Sequence, residues 1–156
     1  MTGDGLITAL SENLREVLKD YKLQAEGQTD KKVSVYKYDI PHGRFESDTY
    51  IPYVIVTPKL IDLVERDSIM TVAMLINTYV GEYGDDWRDM MSIAERIRQY
   101  ILTTPIMSKK YLFARSFHFE PIATDQPSPF IIGYIEADYR LATPEPAFKP
   151  MRVREF

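Results

Sequence analysis

The sequence predicts an α+β domain: a mainly antiparallel sheet of four or five strands with two principal helices packed on one face. Two amphipathic helical patterns lie far apart in the chain, and stretches rich in β-branched and aromatic residues fill the space between and after them. Short turns join most of these stretches, so consecutive strands pair with each other and run antiparallel. Strands that come in runs, and do not alternate one by one with helices, place the helices together on one side. The predicted order is α-β-β-β-α-β-β.

Leu6, Ile7, Leu10, Leu14, Val17, Leu18 and Tyr21 recur at three- and four-residue steps, the spacing of a helix with one apolar face. Asp4 is placed to cap its start, and Gly27 lies beyond its end. After the loop QAEGQTDKK, Lys32 to Ile40 reads as a strand. PHGRFESDT (41–49) breaks it, and Tyr50 to Pro58 forms a second strand, with Pro52 marking an edge or a bulge near its start. Leu60 to Arg66 is expected to be a short connector with a helical turn. Ser68 to Glu82 is a long strand: Met70, Val72, Met74, Ile76 and Val80 lie on one side, Ile69, Ala73, Leu75 and Tyr79 on the other. A second helix runs from about Trp87 to Leu102 and stops before Thr103-Thr104-Pro105. Tyr111 to Pro121 and Phe130 to Leu141 are two further strands, joined by the turn at 124–129. The whole makes one domain over residues 1–142, followed by a proline-bearing arm over 143–156.

The stretch EYGDDWRDMMSIAERIRQYIL (82–102) sets three aspartates, Asp85, Asp86 and Asp89, at the start of the second helix. Asp86 precedes the first periodic residue and Asp89 follows three positions later, close to a capping box, and both carboxylates suit the positive end of a helix dipole. A metal site needs further ligands converging on them. The sequence offers no D-x-D-x-D-G loop and no H-x-x-x-H pair. Along the same helix Trp87, Met90, Met91, Ala94, Ile97 and Ile101 fall on one stripe, which Ile93 and Tyr100 widen to about half the circumference. That width suits a second helix packed alongside, or a contact with another subunit. Arg98 falls inside the apolar arc, where it either lies over the core or reaches a neighbouring chain's carboxylate.

A formal net charge of −4, with no basic cluster, argues against binding nucleic acid through its phosphates. The absence of cysteine excludes disulfides, thiolate nucleophiles and cysteine-based zinc sites. There is no signal-peptide pattern and no apolar run near the ~20 residues of a membrane helix. These features are expected of a soluble chain made in a cytoplasm.

A search for catalytic groups gives little. His42 lies in the 41–49 break beside Gly43, and His118 alternates with Phe117 and Phe119 on a strand. No G-x-S-x-G occurs, and GEYG (81–84) lacks the Lys-Ser/Thr that a phosphate loop requires. Glu136, Asp138 and Arg140 share one strand face as a charged row, solvated or interfacial. No cofactor, metal or catalytic constellation is expected. A small hydrolase using His42 or the 85–89 carboxylates is the alternative from another class. The 68–82 strand supplies the more informative feature: both its faces are apolar, and two helices cover only one side of a sheet. Association with other copies is the economical way to close the second side.

With these residues in view, the chain resembles the phage tail terminator, or tail completion, proteins. The resemblance rests on INTYVGEYGDDWRDMMSIAERIRQYIL, where an aromatic-Gly turn leads to Asp86, Trp87 and Asp89 and then to the helix carrying Glu95-Arg96-Ile97-Arg98. It rests also on the last hairpin strand PFIIGYIEADYRL and on YIPYVIVTP, and spans roughly Tyr50 to Leu141. It implies an α+β subunit that forms a ring, typically a hexamer, at the tail-neck junction of a virion. Such a ring caps the tail tube, ends its polymerisation and meets the head-tail connector or neck protein. Asp86 and Arg98 are then structural features of the pattern. The 41–49 loop, with Arg44, Phe45 and Glu46, and the 124–129 turn become interface candidates. The arm over 143–156 is longer than the family's usual ending. Another neck, connector or tail-tube subunit is the neighbouring expectation.

Overall fold

A computed structural model describes residues 3–40, 51–64, 67–122 and 129–142, with residue 64 in its backbone only. His42, Arg44, Phe45, Glu46, most of the 124–129 turn and the arm over 143–156 lie outside the described residues. The order is α1 (Gly3–Leu18), β1 (Ser34–Lys37), β2 (Tyr53–Val64), β3 (Asp67–Tyr79), α2 (Arg88–Thr103), β4 (Ile106–Met107), β5 (Tyr111–Ile122) and β6 (Phe130–Leu141). The fold is α+β, and the strands form one six-stranded mixed sheet in the order β1-β2-β3-β6-β5-β4.

Three expectations need correction. The sheet is mixed because β1 pairs with β2 in parallel, Ser34 beside Tyr53 and Lys37 beside Val56, while every other pair is antiparallel. The break at 41–49 is long enough to return the chain to the end of the sheet where β1 begins, which a hairpin turn is not. Residues 60–64 form no connector. The strand runs on to Val64, accommodating Lys59 as an extra residue between Pro58, opposite Val72, and Leu60, opposite Thr71. The sixth strand, β4, is two residues long and too short for any sequence period to mark. Pro52 sits just before β2, follows a cis peptide bond, and its carbonyl accepts the Ser34 N–H at 3.2 Å.

Period-two alternation decides which side of each strand is buried. Val54 and Val56 of β2, Met70, Val72, Met74 and Ile76 of β3, and Ile135, Ala137 and Tyr139 of β6 point to one face. Leu6, Ile7, Leu10, Leu14 and Leu18 of α1 and Met90, Ile93, Ala94, Ile97 and Ile101 of α2 pack on them in a single core. α1 lies over β1 and β2, α2 over β3, β5 and β6, and the two helices touch. The Arg15 Nε donates to the Val35 carbonyl at 3.0 Å, and the Lys37 Nζ to the Thr8 hydroxyl at 3.2 Å, fastening β1 to α1. Asp4 lies within the first turn of α1, and its carboxylate accepts the Tyr38 hydroxyl.

Gly133 lets α2 approach β6. A Cβ there stands 2.5 Å from the Met90 Sδ and 3.0 Å from the Phe119 ring, inside van der Waals contact. Gly133→Val is expected to lower stability by about 1–3 kcal/mol through overpacking. Denaturant titration in two backgrounds checks the cause: the cost shrinks when Met90 is Ala, and an unchanged cost assigns it to something other than this contact.

Candidate functional site

Of the three acids at the start of α2, Asp86 and Asp89 are used to hold the fold together. Asp89 is 1% exposed, and its carboxylate turns away from its own helix. It accepts the Tyr21 hydroxyl at 2.7 Å, the Gln24 N–H at 2.8 Å and the Ala25 N–H at 3.0 Å. The expected capping role is therefore corrected for both residues. Trp87 occupies the N-cap position with no side-chain cap, and Asp86 reaches the Arg88 N–H only at 3.4 Å, too long for a strong bond. The oxygens of Asp86 instead accept Arg88 Nε and Nη2, each at 2.9 Å, and Nη2 also donates to the Gln24 carbonyl at 3.0 Å. The guanidinium holds the Asp86 carboxyl below its ordinary range. Burial, together with the bond to Asp89, pushes the Tyr21 phenol up to about 12. Asp89 and Arg88 thus clamp the loop after α1 onto the start of α2.

Asp85 remains exposed. It lines a cleft of about 500 Å³ with Glu26, Tyr79, Gly81, Glu82, Tyr83 and Asp86. Of these Asp86 is already paired, and the described lining contains no serine, threonine or histidine. Among the described residues no cluster of three or more His, Asp and Glu side chains is arranged to hold a metal ion. GEYG is a turn: the Gly84 N–H donates to the Gly81 carbonyl at 3.1 Å, and both glycines have positive φ, 86° and 68°.

The second helix buries a narrower stripe than its sequence suggests. Met91 is 51% exposed, and Arg98 lies outside the apolar contact, paired at the surface with Glu95 at 3.0 Å. Residues facing the sheet and those facing α1 both come from the arc centred on Ile93 and Ile97, so the flanks are left to solvent.

The opposite face of the sheet carries no helix among the described residues. Register brings Tyr53 and Ile55 of β2, Leu75 and Tyr79 of β3, and Phe130 and Ile132 of β6 together on its lower half. Tyr79 and Phe130 meet edge-on with ring centroids 5.6 Å apart. The upper half holds the charged row. Glu136 accepts from Lys59 and, at 2.8 Å, from the Tyr134 hydroxyl, and the Lys59 ammonium, followed by that hydroxyl, holds its carboxyl below the ordinary range. Asp138 accepts the Thr71 hydroxyl at 2.6 Å, and Arg140 lies 3.9 Å from Asp67. His118, opposite Glu136 in register, is exposed and 3.4 Å from Glu120. The row expected to be solvated or interfacial is thus met by partners within the chain. What the face presents beyond that is apolar and half-buried side chains. No protein-family model matches the chain, and no match is found among curated proteins.

Asp89→Ala leaves two backbone N–H groups and one phenol without their buried acceptor. The expected loss is about 3 kcal/mol or more, since bonds to a charged acceptor contribute about 1.5–3 kcal/mol each. A urea titration with an unchanged slope and a lowered midpoint checks it. A loss below about 1 kcal/mol contradicts the clamp.

Proposed function

We propose that the protein is a structural subunit of a phage tail. In this reading it closes into a ring on the finished tail tube, ends the tube's growth and offers the surface to which the head attaches. One observation supports this above the others. The sheet has a half-apolar face with no described helix over it, beside charges already satisfied inside the chain, which is what a surface made for other protein chains looks like. Two of the three acids that were enzymatic candidates, Asp86 and Asp89, hold the fold together instead, which favours assembly over catalysis. The resemblance of the 50–141 region to tail terminators supplies the particular role, with the tail tube protein below the ring, the connector or neck protein above it, and six copies within it. The place of action is the tail-neck junction of the virion.

Added in molar excess to polymerising tail-tube subunits of the same phage, the protein shortens the tubes seen in electron micrographs and leaves an extra ring-shaped density at one end. Tubes of unchanged length with bare ends count against the role.

A further inference from the structure

Five of the nine large apolar side chains left exposed among the described residues are gathered at two places on opposite margins of the sheet; Tyr38, Tyr83, Met91 and Ile122 lie outside them. On one margin the outer half of β2 extends past the end of β1, and Leu60, Ile61 and Leu63 are 42%, 59% and 66% exposed. On the other margin Ile106 of β4 and Leu112 of β5 are 59% and 39% exposed. Charge differs between the two patches in a complementary way. Asp62 lies within the first, and Lys109 and Lys110 form the turn beside the second. None of these three enters an ion pair with another described residue.

The pairing of the strands puts both patches at one height. Asp62 is opposite Ile69, Ile69 opposite Arg140, Arg140 opposite Leu112, and Leu112 opposite Ile106. A second copy placed margin to margin therefore meets its complementary patch with no slide along the strands. Two unlike patches that join head to tail generate a ring if the rotation closes and a filament if each step also climbs. A joint without slide along the strands removes one source of climb, and the rotation between copies then decides closure. The outer edge of β2 is also blunted for hydrogen bonding. Pro58 has no N–H to give, and Lys59 bulges, devices that discourage open-ended strand addition.

We propose that the outer half of β2 docks on the β4–β5 corner of the next copy, with Ile106 and Leu112 against Leu60, which shares their face of the sheet, and Lys109-Lys110 beside Asp62. This rests on the ring reading above and specifies how successive copies meet. The contact is made by side chains and charge, not by a continuous strand ladder. It covers the margins of the uncovered face as well, because Leu60 and Leu112 belong to that face.

The chain has no cysteine, so introduced thiols report without background. In the double variant Leu60→Cys/Ile106→Cys the two thiols of one chain are four strand spacings apart, about 19 Å, far beyond disulfide reach. Mild oxidation is expected to give a ladder of covalent oligomers on a non-reducing gel. Adding Lys109→Glu/Lys110→Glu shifts that ladder to higher protein concentration. The pair Tyr83→Cys/Met91→Cys, exposed but away from both margins, gives no ladder. Absence of the ladder, or an equal ladder from the control pair, overturns the joint. Light scattering on the same oxidised samples then separates the two ideas: rings without linkage leave the ring reading standing, whereas monomers throughout remove its support as well.

Discussion

Strand β3 runs through the middle of the sheet with apolar side chains on both sides, and most of the architecture answers to it. Met70, Val72, Met74 and Ile76 need a helical cover, and α1 and α2 supply it. Ile69, Ala73 and Leu75 look the other way, where the strands on either side add Ile55 and Ile132. Burying apolar area is the dominant favourable term in folding, at about 25 cal/mol per Å². A face without a helical cover forgoes part of that gain, and the proposed ring would recover it through other chains. Long paired strands make the frame rigid enough for this: β2, β3, β5 and β6 each hold 12 or 13 residues.

A clamp at their junction holds the two helices together. Asp89, buried among apolar residues, is tolerated because three donors satisfy it, two of them backbone N–H groups of the loop that follows α1. Removing an isolated carboxylate from water is costly, so the same burial that makes Asp89 resemble an active-site acid demands the bonds that immobilise it. This ties the end of α1 to the start of α2 across more than sixty residues of sequence and fixes both helices on one face.

Much of this was legible in the sequence. The 3.6-residue period gave both helices, and alternation gave β3, β5 and β6 close to their observed bounds. The exceptions have physical reasons. From the sequence β2 ends at Pro58, with a connector expected over Leu60 to Arg66, whereas the strand runs on because Pro58 lies past the residues that β1 pairs with and the bulge at Lys59 accommodates the shift. The parallel pairing of β1 with β2 is a long-range feature, which local pattern does not encode. Asp89 reads as a cap from local sequence because its partners, Tyr21, Gln24 and Ala25, lie 64 to 68 positions away, and only the folded chain brings them together. The face that carries no described helix, by contrast, is legible in the double-sided apolar pattern of β3. The unlike patches at its margins are not, since they depend on which strands end where.

The most direct test of the account is the solution mass of the unmodified protein, by light scattering after size exclusion over a wide range of concentrations. The account predicts a discrete closed oligomer that grows in as concentration rises, at about six times the 18.1 kDa of one chain, with no larger series beyond it. A mass of 18.1 kDa at every concentration, or an unbounded series, contradicts it.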